Sequence, residues 1–204
     1  LGAEYGARFL RRLQAGDRAA MVAELERGRD DGGFPDWLLE YNRNMLDSCA
    51  PGALLFTCGD AVSAPAWYLQ VVEKVRPDLT VIPLAALDWP WYVLTLKEGS
   101  VTPLASAPIS WSTDQILALH PYKWKTGTVP IQVSPAARER DRLGDDPGPL
   151  AWVVEPDLAG THLWARTAVL IDILRTNAWE RPVHFSLTCG PESAKGLDAC
   201  RQLS

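Results

Sequence analysis

GALLFTCGDAVSAPAWYLQ, residues 52–70, decides how the chain is read. The all-apolar run ending at Thr57 predicts a strand buried on both faces. The small residues after Cys58 predict a strand-to-helix turn, with Ser63 as helix cap and Pro65 in the first turn. Backbone amides at such a turn, together with a helix N-terminus, can cradle a ligand. Asp60 can bind a sugar hydroxyl or a metal, act as a base, or simply bond the loop amides as an Asx-turn. Near the other end, FSLTCGPES (185–193) repeats the Thr-Cys-Gly motif.

Working outward, RPD (76–78) stops the helix that carries Trp67 and Gln70, and LTVIPL (79–84) reads as a second strand. DWPWYVLTL (88–96) opens another helix, with Asp88 as its cap and Pro90 just inside. TVPIQVS (128–134) and LAWVVEP (150–156) read as strands. HLWARTAVLIDILRTN (162–177) is a long apolar helix, and RPVHFSLT (181–188) is the last strand. This alternation predicts an α/β domain over 49–204: a three-layer, Rossmann-like, mainly parallel sheet of about five strands. Residues 1–48 are expected to form a helical extension. It carries Tyr5, Phe9 and Leu13 at helical spacing, then a second helix capped by Asp17, then a third with Trp37, Tyr41 and Met45.

Composition narrows the function. The chain has 204 residues, 47% of them hydrophobic, and a net charge of -5, which gives no electrostatic case for nucleic acid. No run approaches the ~20 apolar residues of a membrane span, and no signal peptide is visible. The chain starts at Leu1 and stops in the polar ACRQLS, so a fragment of a larger protein is expected. The four cysteines form no Cys-x-x-Cys pair, and with three histidines there is no zinc spacing. The acidic loop Asp141, Asp145, Asp146 lacks calcium-loop spacing. GxGxxG, Walker and Gly-x-Ser-x-Gly patterns are missing, so no cofactor is expected, nor a metal.

Aromatic and polar residues supply the remaining candidates. The nine tryptophans can pack in the core, stack on sugar rings or sit at a membrane interface. Trp89 and Trp91 flank Pro90, so at least one of them is expected at the surface. In TNAWERP (176–182), Asn177 can cap the preceding helix. Arg181, beside an apolar strand, requires a carboxylate such as Glu73, Asp60 or Glu180, or else clamps a ligand.

The order LLFTCGDAVSAPAWYLQVVEKVRPDLTVIPLAALDWPWYVLTLK (54–97), followed by ILRTNAWERPVHFS (173–186), resembles the soluble C-terminal region of a bacterial family of multispanning membrane proteins. That family has no assigned function and is related to the protein O-mannosyltransferase-like glycosyltransferases, which use lipid-linked sugar donors. The resemblance covers about 45–97 and 165–188. Its most specific pieces are Trp67-Tyr68-Leu69-Gln70, Arg76-Pro77-Asp78, Trp91-Tyr92 and Asn177 to Pro182. Family members read Gly-Asp-Asn-Asp-Thr-Phe-Pro at the first turn, where this chain has Gly59 to Pro65 and keeps one carboxylate, Asp60. They carry an aromatic at the position of His184.

The resemblance implies an extracytoplasmic soluble domain at the bacterial membrane surface, with the transfer chemistry in a membrane-embedded part of the parent protein. The domain would position a glycan or an acceptor protein, and the membrane would be reached through the rest of the parent chain. Its ligand-binding candidates are Gly59, Asp60, Ser63, Trp67, Gln70, Trp89, Trp91, Asn177 and Arg181. Two alternatives stand beside this: an independent α/β enzyme using Cys58 or Asp60, and a non-catalytic scaffold that binds a partner through an apolar stripe on residues 5–25. If the first and last strands are neighbours, Cys58 and Cys189 can form a disulfide in an oxidising compartment. Cys189–Cys200 is the rival pair.

Overall fold

The computed structural model describes residues 1–99, 106–142, 148–190 and 202–203. Three helices, α1 (Gly2–Gln14), α2 (Arg18–Asp30) and α3 (Asp36–Ser48), lead into strand β1 (Leu54–Thr57), buried along its whole length, and helix α4 (Asp60–Val71). Every residue of α4 from Val62 to Val71 is buried, because the three leading helices cover the part that the sheet does not. Phe9 packs against Trp67 with ring centroids 4.9 Å apart and the rings tilted by 32°, and Phe34 lies 5.8 Å from Tyr68. Gly6 lets α1 come this close, since a Cβ there would sit 2.9 Å from that of Ala64. The apolar stripe of Tyr5, Phe9, Leu13, Met21 and Leu25 is therefore covered from within the chain. The exposed stripe that a scaffold needs on residues 5–25 is not formed.

The helix begins three residues before Ser63, the cap predicted from sequence. Gly59 is the N-cap, at φ 96° and ψ 143°, a conformation that essentially only glycine adopts. Ser63 instead ties strand to helix, with its hydroxyl 2.8 Å from that of Thr57 and donating to the Gly59 carbonyl at 3.2 Å. Pro65 falls inside the helix, so the Ala61 carbonyl loses its usual amide donor. Asn42 on α3, fully buried, replaces it: its side-chain amide donates to the Ala61 carbonyl at 3.4 Å and to the Leu38 carbonyl at 2.8 Å.

After β2 (Thr80–Pro83), a 3-10 turn (Leu84–Asp88) leads to α5 (Pro90–Glu98) and α6 (Thr113–Leu117). Then follow β3 (Tyr122–Lys123), β4 (Gly127–Ile131), α7 (Pro135–Asp141), β5 (Leu150–Val154), β6 (His162–Leu163), α8 (Ala165–Asn177), β7 (Val183–Phe185) and β8 (Gln202–Leu203). The three-layer Rossmann-like sheet of about five strands is not what these elements build. Eight α-helices dominate the described residues, and the short strands divide into three small sheets. One sheet, in the order β2-β1-β7-β8, is parallel; β4 pairs antiparallel with β5, and β3 with β6. The strands expected at 128–134 and 150–156 within that one sheet thus pair with each other, Gly127 opposite Val154 and Ile131 opposite Leu150. Their burial explains it. Val129, Ile131, Trp152 and Val154 point inward while Thr128, Pro130, Ala151 and Val153 face solvent. That is the alternation of a strand with one wet face.

Two arginines and an aspartate hold the loop that feeds β1. Arg76 donates to the carbonyls of Leu46, Cys49 and Ala50 at 2.8, 3.0 and 3.3 Å. Arg181 reaches the carbonyls of Gly52 (2.7 Å), Ala53 (3.3 Å) and Ser106 (2.7 Å) and the Thr80 hydroxyl (2.7 Å). Asp78 pairs with Arg76 at 2.9 Å and accepts the Gly52 amide at 2.8 Å. The Arg76 hydrogen bonds hold the Asp78 carboxyl well below its usual range, at about 2.

A depressed carboxyl pKa stabilises the fold above the unfolded value near 4, and that contribution disappears as pH falls through 2. The Asp78 side chain is 40% exposed, so solvent screening reduces its worth to about 1 kcal/mol. Asp78→Asn is expected to lose this amount at pH 7 and to flatten the decline in stability between about pH 4 and 2. Urea denaturation across that range measures it, and an acid limb identical to that of the parent chain would refute the assignment.

Candidate functional site

The carboxyl ends of β1 and β2 open onto a cavity of about 720 Å³. Its floor is Cys58 and Gly59 from the turn after β1, with Leu84 and Ala85 after β2. Gly59 leaves room there, since a Cβ at this position would meet no atom within 4 Å. One wall comes from β5 and its continuation, Trp152 to Asp157, and the other from the first turns of α8, including Trp164, Arg166 and Thr167. The volume falls within the range of small-molecule sites.

The polar groups of the α8 wall are fixed by one another. Arg166 lies two residues into the helix, where the dipole disfavours a cation. Asp88 compensates: its carboxylate accepts the Arg166 amide at 2.8 Å and the guanidinium at 2.9 Å. Asp157 accepts the Trp164 amide at 2.8 Å and the Thr167 hydroxyl. The Arg166 guanidinium lies 4.9 Å over the Trp164 ring, leaving the half-buried indole oriented at the cavity's edge. Trp152 is 3% exposed and backs the opposite wall.

The sequence candidates separate by position. Gly59 and Cys58 line the cavity, and Asp60 is exposed in the first turn of α4 beside them. Trp89, 41% exposed, stacks on the half-buried Trp91 at 5.9 Å, next in sequence to the Asp88 that holds Arg166. Ser63, Trp67 and Gln70 are buried in or around α4. The Gln70 amide donates to the carbonyls of Arg76 and Leu79 at 2.9 and 3.0 Å.

Asn177 bonds the backbone of Arg181, donating to its carbonyl at 2.8 Å and accepting its amide at 3.3 Å. Both residues sit at the amino end of the sheet, away from the cavity. Arg181 meets three carbonyls and a hydroxyl rather than the carboxylates of Glu73, Asp60 or Glu180, and burial lowers its pKa. β1 and β7 are neighbours, Phe56 opposite Phe185, so Cys58 and Cys189 both lie beyond the carboxyl ends of adjacent strands. The Cys189 sulfur is 3.6 Å from the Phe56 carbonyl and 3.5 Å from the Ser186 hydroxyl. Cys200, Asp145 and Asp146 lie outside the described residues.

Sequence reading missed Asp157 and Arg166, held Trp164 only as one of nine tryptophans able to stack on sugar rings, and assigned Asp88 to capping α5, whereas its carboxylate turns to α8. The one available signal was Arg166 itself, a cation in a helix's first turn that calls for an acidic partner. Among the described residues, no group of three or more His, Cys, Asp or Glu is placed to hold a metal ion.

Residues 39–121 match the family model described as TMEM260-associated domain 2. Over 83 residues the chain is 30% identical to a protein named Protein O-mannosyl-transferase tmem260 from Dictyostelium discoideum. That stretch is 41% of this chain and 10% of the relative, so the chain covers about a tenth of the length of the curated relative it matches. No solved structure matches. The region matching the family model carries α3, β1, α4, β2 and Asp88, hence the cavity floor but neither the β5 wall nor the α8 wall. Among the described residues, no helix is long and apolar enough to cross a membrane.

Proposed function

We propose that this chain is a glycan- or acceptor-positioning domain. It works beside the membrane-embedded part of a glycosyltransferase-like protein, on the extracytoplasmic face, and the cavity is where it holds its ligand. The observation that carries this is the make-up of the cavity: an oriented indole at its edge, carboxylate oxygens of Asp157 close by, and a floor of Cys58, Gly59, Leu84 and Ala85 that carries no charge. Aromatic rings take the apolar face of a sugar, and carboxylates accept its hydroxyls. The similarity to an O-mannosyltransferase-named protein supports the choice of sugar. In this reading the rest of the parent protein performs the transfer, and this domain binds and orients.

Titration with methyl α-D-mannopyranoside and with a mannosylated serine peptide, followed by tryptophan fluorescence, tests it. Saturable binding is expected, weakened roughly tenfold by Trp164→Ala, the worth of one aromatic contact. Near-UV circular dichroism checks that the variant stays folded. Binding untouched by Trp164→Ala would move the site elsewhere, and a parent gene encoding no membrane spans would remove the membrane part of the reading.

A further inference from the structure

We propose that the cavity selects the uncharged sugar, as it stands on an acceptor, and rejects phosphate-bearing sugar donors. This rests on the reading of the cavity as the ligand site. A helix N-terminus in a cavity wall is ordinarily a phosphate cradle, because it offers bare amides and the positive end of a dipole. Here the start of α8 has already been neutralised. The Trp164 amide is bonded to Asp157, and the Arg166 amide to Asp88. The Arg166 guanidinium, the one cation among the cavity-lining residues, is bonded to Asp88 as well. The Thr167 amide turns back to the Trp164 carbonyl at 3.1 Å.

The second helix aimed at this edge, α4, carries Asp60 in its own first turn, where a carboxylate again takes up the dipole. A phosphate entering the cavity would therefore meet the carboxylates of Glu155 and Asp157 in its lining, with one guanidinium that is already paired to Asp88. A sugar hydroxyl meets no such barrier, since carboxylate oxygens bonded to one donor keep lone pairs for another. In a transfer reaction the donor carries the phosphate and the product does not. The polarity of the walls thus assigns this domain to the acceptor or product side.

The test compares methyl α-D-mannopyranoside with mannose 1-phosphate by titration at low and high ionic strength. The neutral glycoside is expected to bind more tightly, by on the order of tenfold at low salt, with the gap closing as salt screens the carboxylates. Asp157→Asn is expected to narrow the preference, with near-UV circular dichroism confirming the fold. Mannose 1-phosphate binding as tightly as the glycoside, or tighter, would overturn this inference and leave the cavity as a ligand site. If neither ligand bound, the ligand-site reading itself would fail, and the selectivity with it.

Discussion

Trp67→Ala is expected to remove about 3–5 kcal/mol of stability, the range for deleting a large aromatic side chain from a packed core. Trp67 is 1% exposed and sits where α1 crosses α4, its ring packed against Phe9. The surrounding helices cannot collapse into the gap, because Gly6 already brings α1 and α4 to close contact. For a chain of this size the loss corresponds to a melting temperature lower by roughly 6–20 °C. A second variant separates packing from polarity. The Trp67 indole N–H is buried without a hydrogen-bond partner among the described residues. Trp67→Phe leaves a smaller gap and removes that orphaned donor, so a loss below about 1.5 kcal/mol is expected. Thermal and urea denaturation of both variants measure this, and equal losses for Phe and Ala would show that ring packing is not what Trp67 supplies.

Arg181→Ala is expected to cost a similar amount, about 3–5 kcal/mol, for a different reason. The guanidinium satisfies three carbonyls and the Thr80 hydroxyl at the amino end of the parallel sheet. Its removal strands acceptors in a partly buried place, at about 1–3 kcal/mol for each that water cannot reach. Arg181→Lys is expected to recover little, because one ammonium cannot span acceptors spread over β1, β2 and the Ser106 loop. Urea denaturation decides it: a lysine variant as stable as the parent would mean that charge matters here and the planar fork does not. Sugar affinity of the folded fraction should be unchanged, since Arg181 lies at the end of the sheet away from the cavity.

How much of this was legible from the sequence differs from element to element. β1 was visible because Leu54, Leu55 and Phe56 are apolar without interruption, as burial on both faces requires. The pairing of β4 with β5 was misjudged although its signal was present. In TVPIQ and AWVVE the inward residues alternate with outward ones, and Pro130 inside a strand marks an edge. Strand identity is a local property, whereas partnership is decided by which apolar faces meet, and that arises only in three dimensions.

The cavity shows the same limit. The turn at Gly59 could be singled out because an apolar run ends beside it and small residues follow; the structure gives that glycine φ 96°. The roles of Asp88 and Arg166 were hidden because the two residues are 78 positions apart. Arg181 announced its need for partners but not their kind; buried carbonyls can serve a guanidinium as acceptors without a countercharge.

The strand order bears on how the protein is made. β1 is central, with β2 on one side and β7 on the other. β2 follows it almost at once, but β7 leaves the ribosome more than half a chain later, on the order of ten seconds at ordinary rates of synthesis. Through that interval the nascent chain exposes one unpaired edge of a strand that the finished fold buries along its whole length, a template for pairing with a neighbouring chain. Yield in cells should therefore depend on translation speed and chaperone supply between β2 and β7 more than on the equilibrium stability of the finished domain.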